Sequence, residues 1–180
     1  YSTNRGGGAG GLRTSYGSTS GGGASAENSI TVISGNSFAV TVGTGGPHIN
    51  ASNYNSPTKG GNSTFGTITS LAGGIGMPGN DLNGFPWKNG GSGVGGAYNG
   101  NAGGQGTAGQ GFAGGSINGA PNYKIGGSGG AGGVGLDATG SAYSGASGAG
   151  GPGLAVNILN ATNAATASVG QVSGSDVYYA

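Results

Sequence analysis

Residues 126–135 read GGSGGAGGVG, two glycines followed by one small or apolar residue, three times in succession. A period of three fits neither an α-helix, whose side chains repeat at 3.6, nor a strand, whose period is 2. It fits an extended left-handed threefold helix of the polyproline II type, built here from glycine. Such a helix has no internal hydrogen bonds and rises about 3.1 Å per residue, so this run spans roughly 31 Å. Its amides and carbonyls must pair with neighbouring segments or with water. Glycine lets those neighbours approach, because no Cβ stands between the backbones.

The triplet recurs. It appears twice in 7–12 (GGAGGL), and the spacing of three is held by Gly73, Gly76 and Gly79 and by Gly90, Gly93 and Gly96. Gly100, Gly103, Gly106 and Gly109 keep it, as do Gly145, Gly148 and Gly151. One such run reads as a linker; six read as members of a bundle. The chain has 50 glycines and 6 prolines in 180 residues, a composition common in disordered segments, and ordering that many glycines is entropically expensive. Yet only 5% of residues are charged and 33% are hydrophobic, the reverse of the usual disordered balance. A folded chain is expected. Collagen is excluded, since the Gly-X-Y period is broken and proline is scarce.

Between the glycine runs lie strand-like segments. Ile30 and Val32, then Phe38, Val40 and Val42, alternate with polar or small residues around Ser34-Gly35-Asn36-Ser37, so 29–42 reads as a hairpin. Residues 64–71 (TFGTITSL) form a second strand region. Leu154, Val156 and Ile158 alternate, and 166–169 and 176–179 read as short strands. No segment shows a helical face. The expected fold is a single domain over 1–180: a bundle of polyglycine II helices packed with a small antiparallel β-sheet and essentially no α-helix. It comprises a strand-rich 29–71, a glycine-triplet bundle over 72–153 and closing strands over 154–180.

Composition narrows the function. The net charge is +1, with Arg5, Arg13, Lys59, Lys88 and Lys124 scattered, so no basic stripe awaits a nucleic acid. No apolar run approaches the ~20 residues of a membrane span. Without cysteine there is no disulfide framework, and a backbone hydrogen-bond lattice is the natural substitute. Enzyme signatures are weak. Gly126-Gly127-Ser128-Gly129-Gly130 matches G-x-S-x-G but lacks a following helix, and the G-x-G-x-x-G matches lie inside triplets. Glu27, Asp81, Asp137 and Asp176 are dispersed, and His48 is the sole histidine. No catalytic residue, metal site or cofactor is expected. Asn50, Asn62 and Asn160 open N-x-S/T sequons, which matter only in a glycosylating secretory pathway.

Four inserts interrupt the glycine runs: 47–59 (PHINASNYNSPTK), 77–89 (MPGNDLNGFPWKN), 116–125 (SINGAPNYKI) and 136–144 (LDATGSAYS). Asn beside Tyr, Phe and Trp suits carbohydrate or protein-surface recognition, joining flat apolar faces to amide hydrogen bonds. The same residues also serve as turns and bundle caps. As binding candidates the sequence offers Tyr54, Phe85, Trp87, Lys88, Tyr98 and Tyr123.

The ordered series 30–46 (ITVISGNSFAVTVGTGG), 61–71 (GNSTFGTITSL), 104–115 (GQGTAGQGFAGG), 126–135 and 174–180 (GSDVYYA) resembles the glycine-rich domains of bacteriophage tail-fibre and adhesin proteins. The matching stretches are spread over most of the chain, from residue 30 to residue 180. The resemblance implies a sandwich of polyglycine II helices whose distal loops contact a host receptor, as in the tip adhesins of T-even-like phages. The expected role is then a non-enzymatic extracellular stalk with host-binding loops, on a virion tail fibre or a cell surface. Its partners would be neighbouring fibre domains or subunits and a host-surface glycan or outer-membrane protein. The alternative is a repeat subunit of a self-assembling filament. Ice binding ranks third, because the glycine-triplet antifreeze fold relies on disulfides that are missing here. Val177, Tyr178 and Tyr179 read as a last strand without a local partner, and so as an assembly element.

Overall fold

The computed structural model describes residues 6–47, 58–76, 86–97, 102–117, 124–140 and 145–180. Regular elements are few. A three-stranded antiparallel sheet joins β1 (Val40–Thr41), β2 (Ser63–Phe65) and β3 (Ile68–Ser70) in the order β1-β2-β3. A second joins β4 (Leu154–Ala155), β5 (Gln171–Ser173) and β6 (Asp176–Tyr179) in the order β4-β6-β5. One short helix, α1 (Ala161–Ala167), packs against β5 and β6. The fold is therefore mostly non-helical, with two small sheets where the sequence suggested one.

Between the sheets the chain runs back and forth in glycine segments bonded side to side. Residues 90–97 occupy the middle. Three consecutive amides there point to three different neighbours: Gly91 donates to Ala72, Ser92 to Ala9 and Gly93 to Phe112, at 2.8–3.0 Å. In a β-strand, successive amides alternate between two sides only. Donors to any one neighbour recur at every third residue. Gly93 and Gly96 donate to Phe112 and Gly115, Gly126 and Gly129 donate to Gly96 and Gly93, and Gly148 and Gly151 donate to Ile125 and Ser128. The spacing of the glycines in the sequence is thus the spacing of the bonds.

Those pairings also fix direction. Residues 71–76, 90–97, 111–117 and 133–138 run one way, while 103–106, 125–130 and 146–153 run the other. Close approach is possible because the glycines lack Cβ. A Cβ on Gly93, Gly95, Gly114, Gly115, Gly127, Gly129 or Gly148 would overlap a carbonyl oxygen of an adjacent segment.

The apolar core is correspondingly thin. Among the described residues its larger members are Ile75, Val94, Ile117, Val156 and Val177, with Ala97, Ala131, Ala138 and Ala164 between them. Backbone hydrogen bonds, each contributing about 0.5–1.5 kcal/mol net, carry much of what side-chain burial supplies elsewhere.

Three local expectations are corrected. Residues 29–42 do not form a hairpin ladder. A turn is present, with Asn36 donating to Ile33, but β1 pairs with β2 through Val40–Phe65 and Thr41–Thr64. Phe38 stacks on Phe65 with ring centroids 5.1 Å apart, and Gly66 donates to Ala39, so aromatic packing draws β1 away from 30–32. Residues 64–71 are themselves a hairpin, closed at Gly66 with φ of 55°, where glycine is unstrained. The strand expected at 166–169 is replaced by the end of α1. Its alanines favour helix, the Asn160 side chain caps the Asn163 amide, and Ser168 closes the helix in the left-handed region.

The last strand is not an unpartnered edge. β6 is the centre of its sheet, paired with β4 through Leu154–Tyr179 and with β5 through Val172–Val177. Val177 is fully buried. The expectation that Val177, Tyr178 and Tyr179 lack a local strand partner is therefore corrected, since β4 and β5 flank β6 within the chain.

Candidate binding surface

The shared direction of four segments brings their leading ends to one end of the lattice. Residues 76, 97, 117 and 138 are the leading ends of the four segments that run the same way, and each is followed by one of the stretches 77–85, 98–101, 118–123 and 139–145. Described turns lie at the opposite end, at 107–110, where Gln110 and Gly111 both donate to Thr107, and at 131–133.

Two apolar clusters brace the insert end. Ala97, Ile117 and Ala138 are buried together with Ile125 packed on them. Ala97 bridges Ile125 and Ile117 bridges Ala138, so the chain leaves one platform after residues 97, 117 and 138. Lys124, itself largely buried, donates from Nζ to the Thr139 carbonyl at 3.0 Å, and an Asp137 carboxylate oxygen accepts from the Ser116 amide at 2.7 Å. The second cluster joins Ile75 and Val94, with Trp87 packed against them.

Of the sequence-derived binding candidates, Tyr54, Phe85, Tyr98 and Tyr123 lie outside the described residues, as does His48. Trp87 and Lys88 form a 3-10 turn with Pro86 and are half-buried. The Trp87 carbonyl accepts from Ile75 and the Lys88 carbonyl from Val94, so this turn is stitched into the lattice. Trp87 therefore rests against the Ile75–Val94 cluster while keeping part of its surface exposed. Ser128, the serine of the G-x-S-x-G match, donates to the Gly6 carbonyl at 3.2 Å in an extended segment. No cluster of three metal-ligating side chains occurs among the described residues, and no described helix is long and apolar enough to cross a membrane.

Two features escaped the sequence. Arg13 and Glu27 form a two-pronged ion pair, Nε to Oε1 at 2.6 Å and Nη2 to Oε2 at 2.8 Å, while Nη1 donates to the Thr69 carbonyl at 3.2 Å. The bond to Glu27 holds the guanidinium above its ordinary pKa, against a smaller opposing effect of burial. This pair ties 13–27 to β3, and nothing in two residues fourteen apart announces it. Lys59 donates to the Asn89 carbonyl, and burial lowers its pKa. The second feature is a groove beside the β4-β6-β5 sheet, bordered by 151–153, whose walls come from segments distant in sequence.

Searches of protein-family models, of curated proteins and of solved structures found no match to this chain.

Proposed function

We propose that this chain is a non-enzymatic structural and adhesive module of an extracellular fibre. In this reading its glycine segments are polyglycine II helices forming a rigid stalk, and its inserts form a host-binding tip. The observation that carries it is the placement of four leading ends, residues 76, 97, 117 and 138, at one end of the lattice. A lattice from which the chain departs four times at one end suits presentation of a contact surface, since binding residues are commonly held on loops by a rigid scaffold. The threefold recurrence of donors supports the polyglycine II assignment. Backbone dihedrals near φ −75° and ψ +145°, derived from NMR shifts of 90–97 and 125–130, test that assignment.

To test adhesion, the labelled chain is incubated with bacterial cells or outer-membrane preparations and compared with a variant in which 98–101 and 118–123 are replaced by Gly-Ser. Loss of binding at unchanged melting temperature supports the reading, and equal binding rejects it. A filament subunit is the second reading. It is favoured by the exposed apolar residues Ile30, Val40 and Val42, which border one shallow groove, since exposed apolar patches often mark protein contacts. Concentration-dependent growth in light scattering would select it.

A further inference from the structure

Strand alternation and register place Gln171, Ser173, Asp176 and Tyr178 on one face of the β4-β6-β5 sheet, with Gln171 directly opposite Tyr178 and Ser173 opposite Asp176. Val172 and the buried Val177 belong to the other face. Gln171, Ser173 and Tyr178 border a groove of about 740 Å³ together with 151–153, Gly170, Tyr179 and Ala180. That volume falls within the roughly 300–1,000 Å³ of small-ligand sites.

The chemistry of the lining selects the ligand. Among the described residues no charged side chain borders the groove. Asp176, opposite Ser173 on the same face, is outside the lining and accepts from Asn157 Nδ2 at 2.7 Å. Phosphate, sulfate and carboxylate ligands are held by Arg and Lys forks or by metals, and the lining offers neither fork. What it does offer is two half-buried tyrosines, an exposed primary amide and an exposed hydroxyl beside glycine backbone. Tyrosine offers a flat apolar face with a polar rim, and Gln offers both donors and an acceptor. A pyranose has the matching surface: an apolar C–H face and a ring of neutral hydroxyls.

We propose that this groove binds a short neutral oligosaccharide, with Tyr178 as the stacking platform and Gln171 and Ser173 as hydroxyl partners. The site is separate from the insert end, so it stands or falls independently of host binding by the inserts.

The test titrates the ¹⁵N-labelled full chain with maltotriose, chitotriose, sialyllactose and a neutral tripeptide, each to roughly 10 mM, and follows amide shifts by NMR. Expected is saturable binding of at least one neutral trisaccharide at millimolar Kd or tighter, with shifts concentrated at Gly153, Gly170, Gln171 and Tyr178. Gln171→Ala and Tyr178→Ala should each weaken it by about tenfold or more. If Tyr178→Ala does not fold, Gln171→Ala and Ser173→Ala, both at exposed positions, carry the test. No saturable shift with either neutral sugar, shifts mapping elsewhere, undiminished binding by Gln171→Ala, tighter binding of sialyllactose, or saturation by the tripeptide alone would each overturn the proposal.

Discussion

Gly129 donates its amide to the carbonyl of Gly93 at 2.9 Å, and a Cβ on Gly129 would run into the carbonyl of Phe112 on the next segment. One residue thus needs its hydrogen bond on one side and its missing side chain on the other. This double demand explains why glycine recurs every third position: the lattice has no room for anything larger at the crossing points.

Substitution at these points should therefore be costly. Gly129→Val and Gly132→Val push a branched side chain against Phe112 and Gly153 carbonyls respectively. Each variant must force adjacent segments apart and leave backbone groups unpaired at about 1–3 kcal/mol apiece, for a total of roughly 3 kcal/mol or more. Val134, at 52% exposure, should tolerate Ala or Thr within about 0.5 kcal/mol. Thermal melts of the set decide; equal melting temperatures would mean that the segments do not depend on one another.

Ser92 gives the opposite sign. Its Oγ is buried without a hydrogen-bond partner, while its amide and carbonyl are engaged by Ala9 and Gly74. An unpaired buried hydroxyl costs about 1–3 kcal/mol, and alanine removes it without touching the backbone bonds. Ser92→Ala should leave stability unchanged or raise it by about 1 kcal/mol. A loss above about 1 kcal/mol would show that the hydroxyl has a partner after all.

The glycine spacing was legible in the sequence because the lattice is a backbone structure and the residue that permits it is the one that marks it. The hairpin register was not. Val40 and Val32 alternate equally well with their neighbours, and only the Phe38–Phe65 stack, between residues 27 positions apart, decides which segment β1 joins. The helix hid for another reason: ATNAATA carries no apolar stripe, and its signal lies in alanine content and the Asn160 cap. The insert residues were legible as a class. The gathering of residues 76, 97, 117 and 138 at one end followed only from the directions of the segments, while the groove at Gln171 and Tyr178 needed a cross-strand register that local pattern does not contain.

Trp87 separates packing from recognition. It rests on Ile75 and Val94 and its carbonyl is bonded to Ile75. Trp87→Ala should lower stability by about 1–3 kcal/mol, somewhat less than a fully buried tryptophan costs, because the ring is half-buried. Trp87→Phe should recover most of it. If Trp87→Ala melts like the parent but no longer binds cells, the ring belongs to the contact surface instead.

The closing strand provides the last test. Because β6 bonds to β4 and β5 and buries Val177, residues 174–180 hold the second sheet together. Ala131 also donates to the Ala180 carbonyl at 2.7 Å, which links this sheet to the glycine lattice. Deleting 174–180 removes the centre of a three-stranded sheet and leaves β4 and β5 with no strand to pair with, since an isolated strand is not stable in water. The expected outcome is a lower melting temperature, with faster amide exchange in 154–173. Val177→Ala should cost about 1–3 kcal/mol through the cavity it leaves, with no change in mass by light scattering. A truncated chain that keeps its melting temperature but changes oligomeric state would return this segment to the assembly role that its sequence suggested.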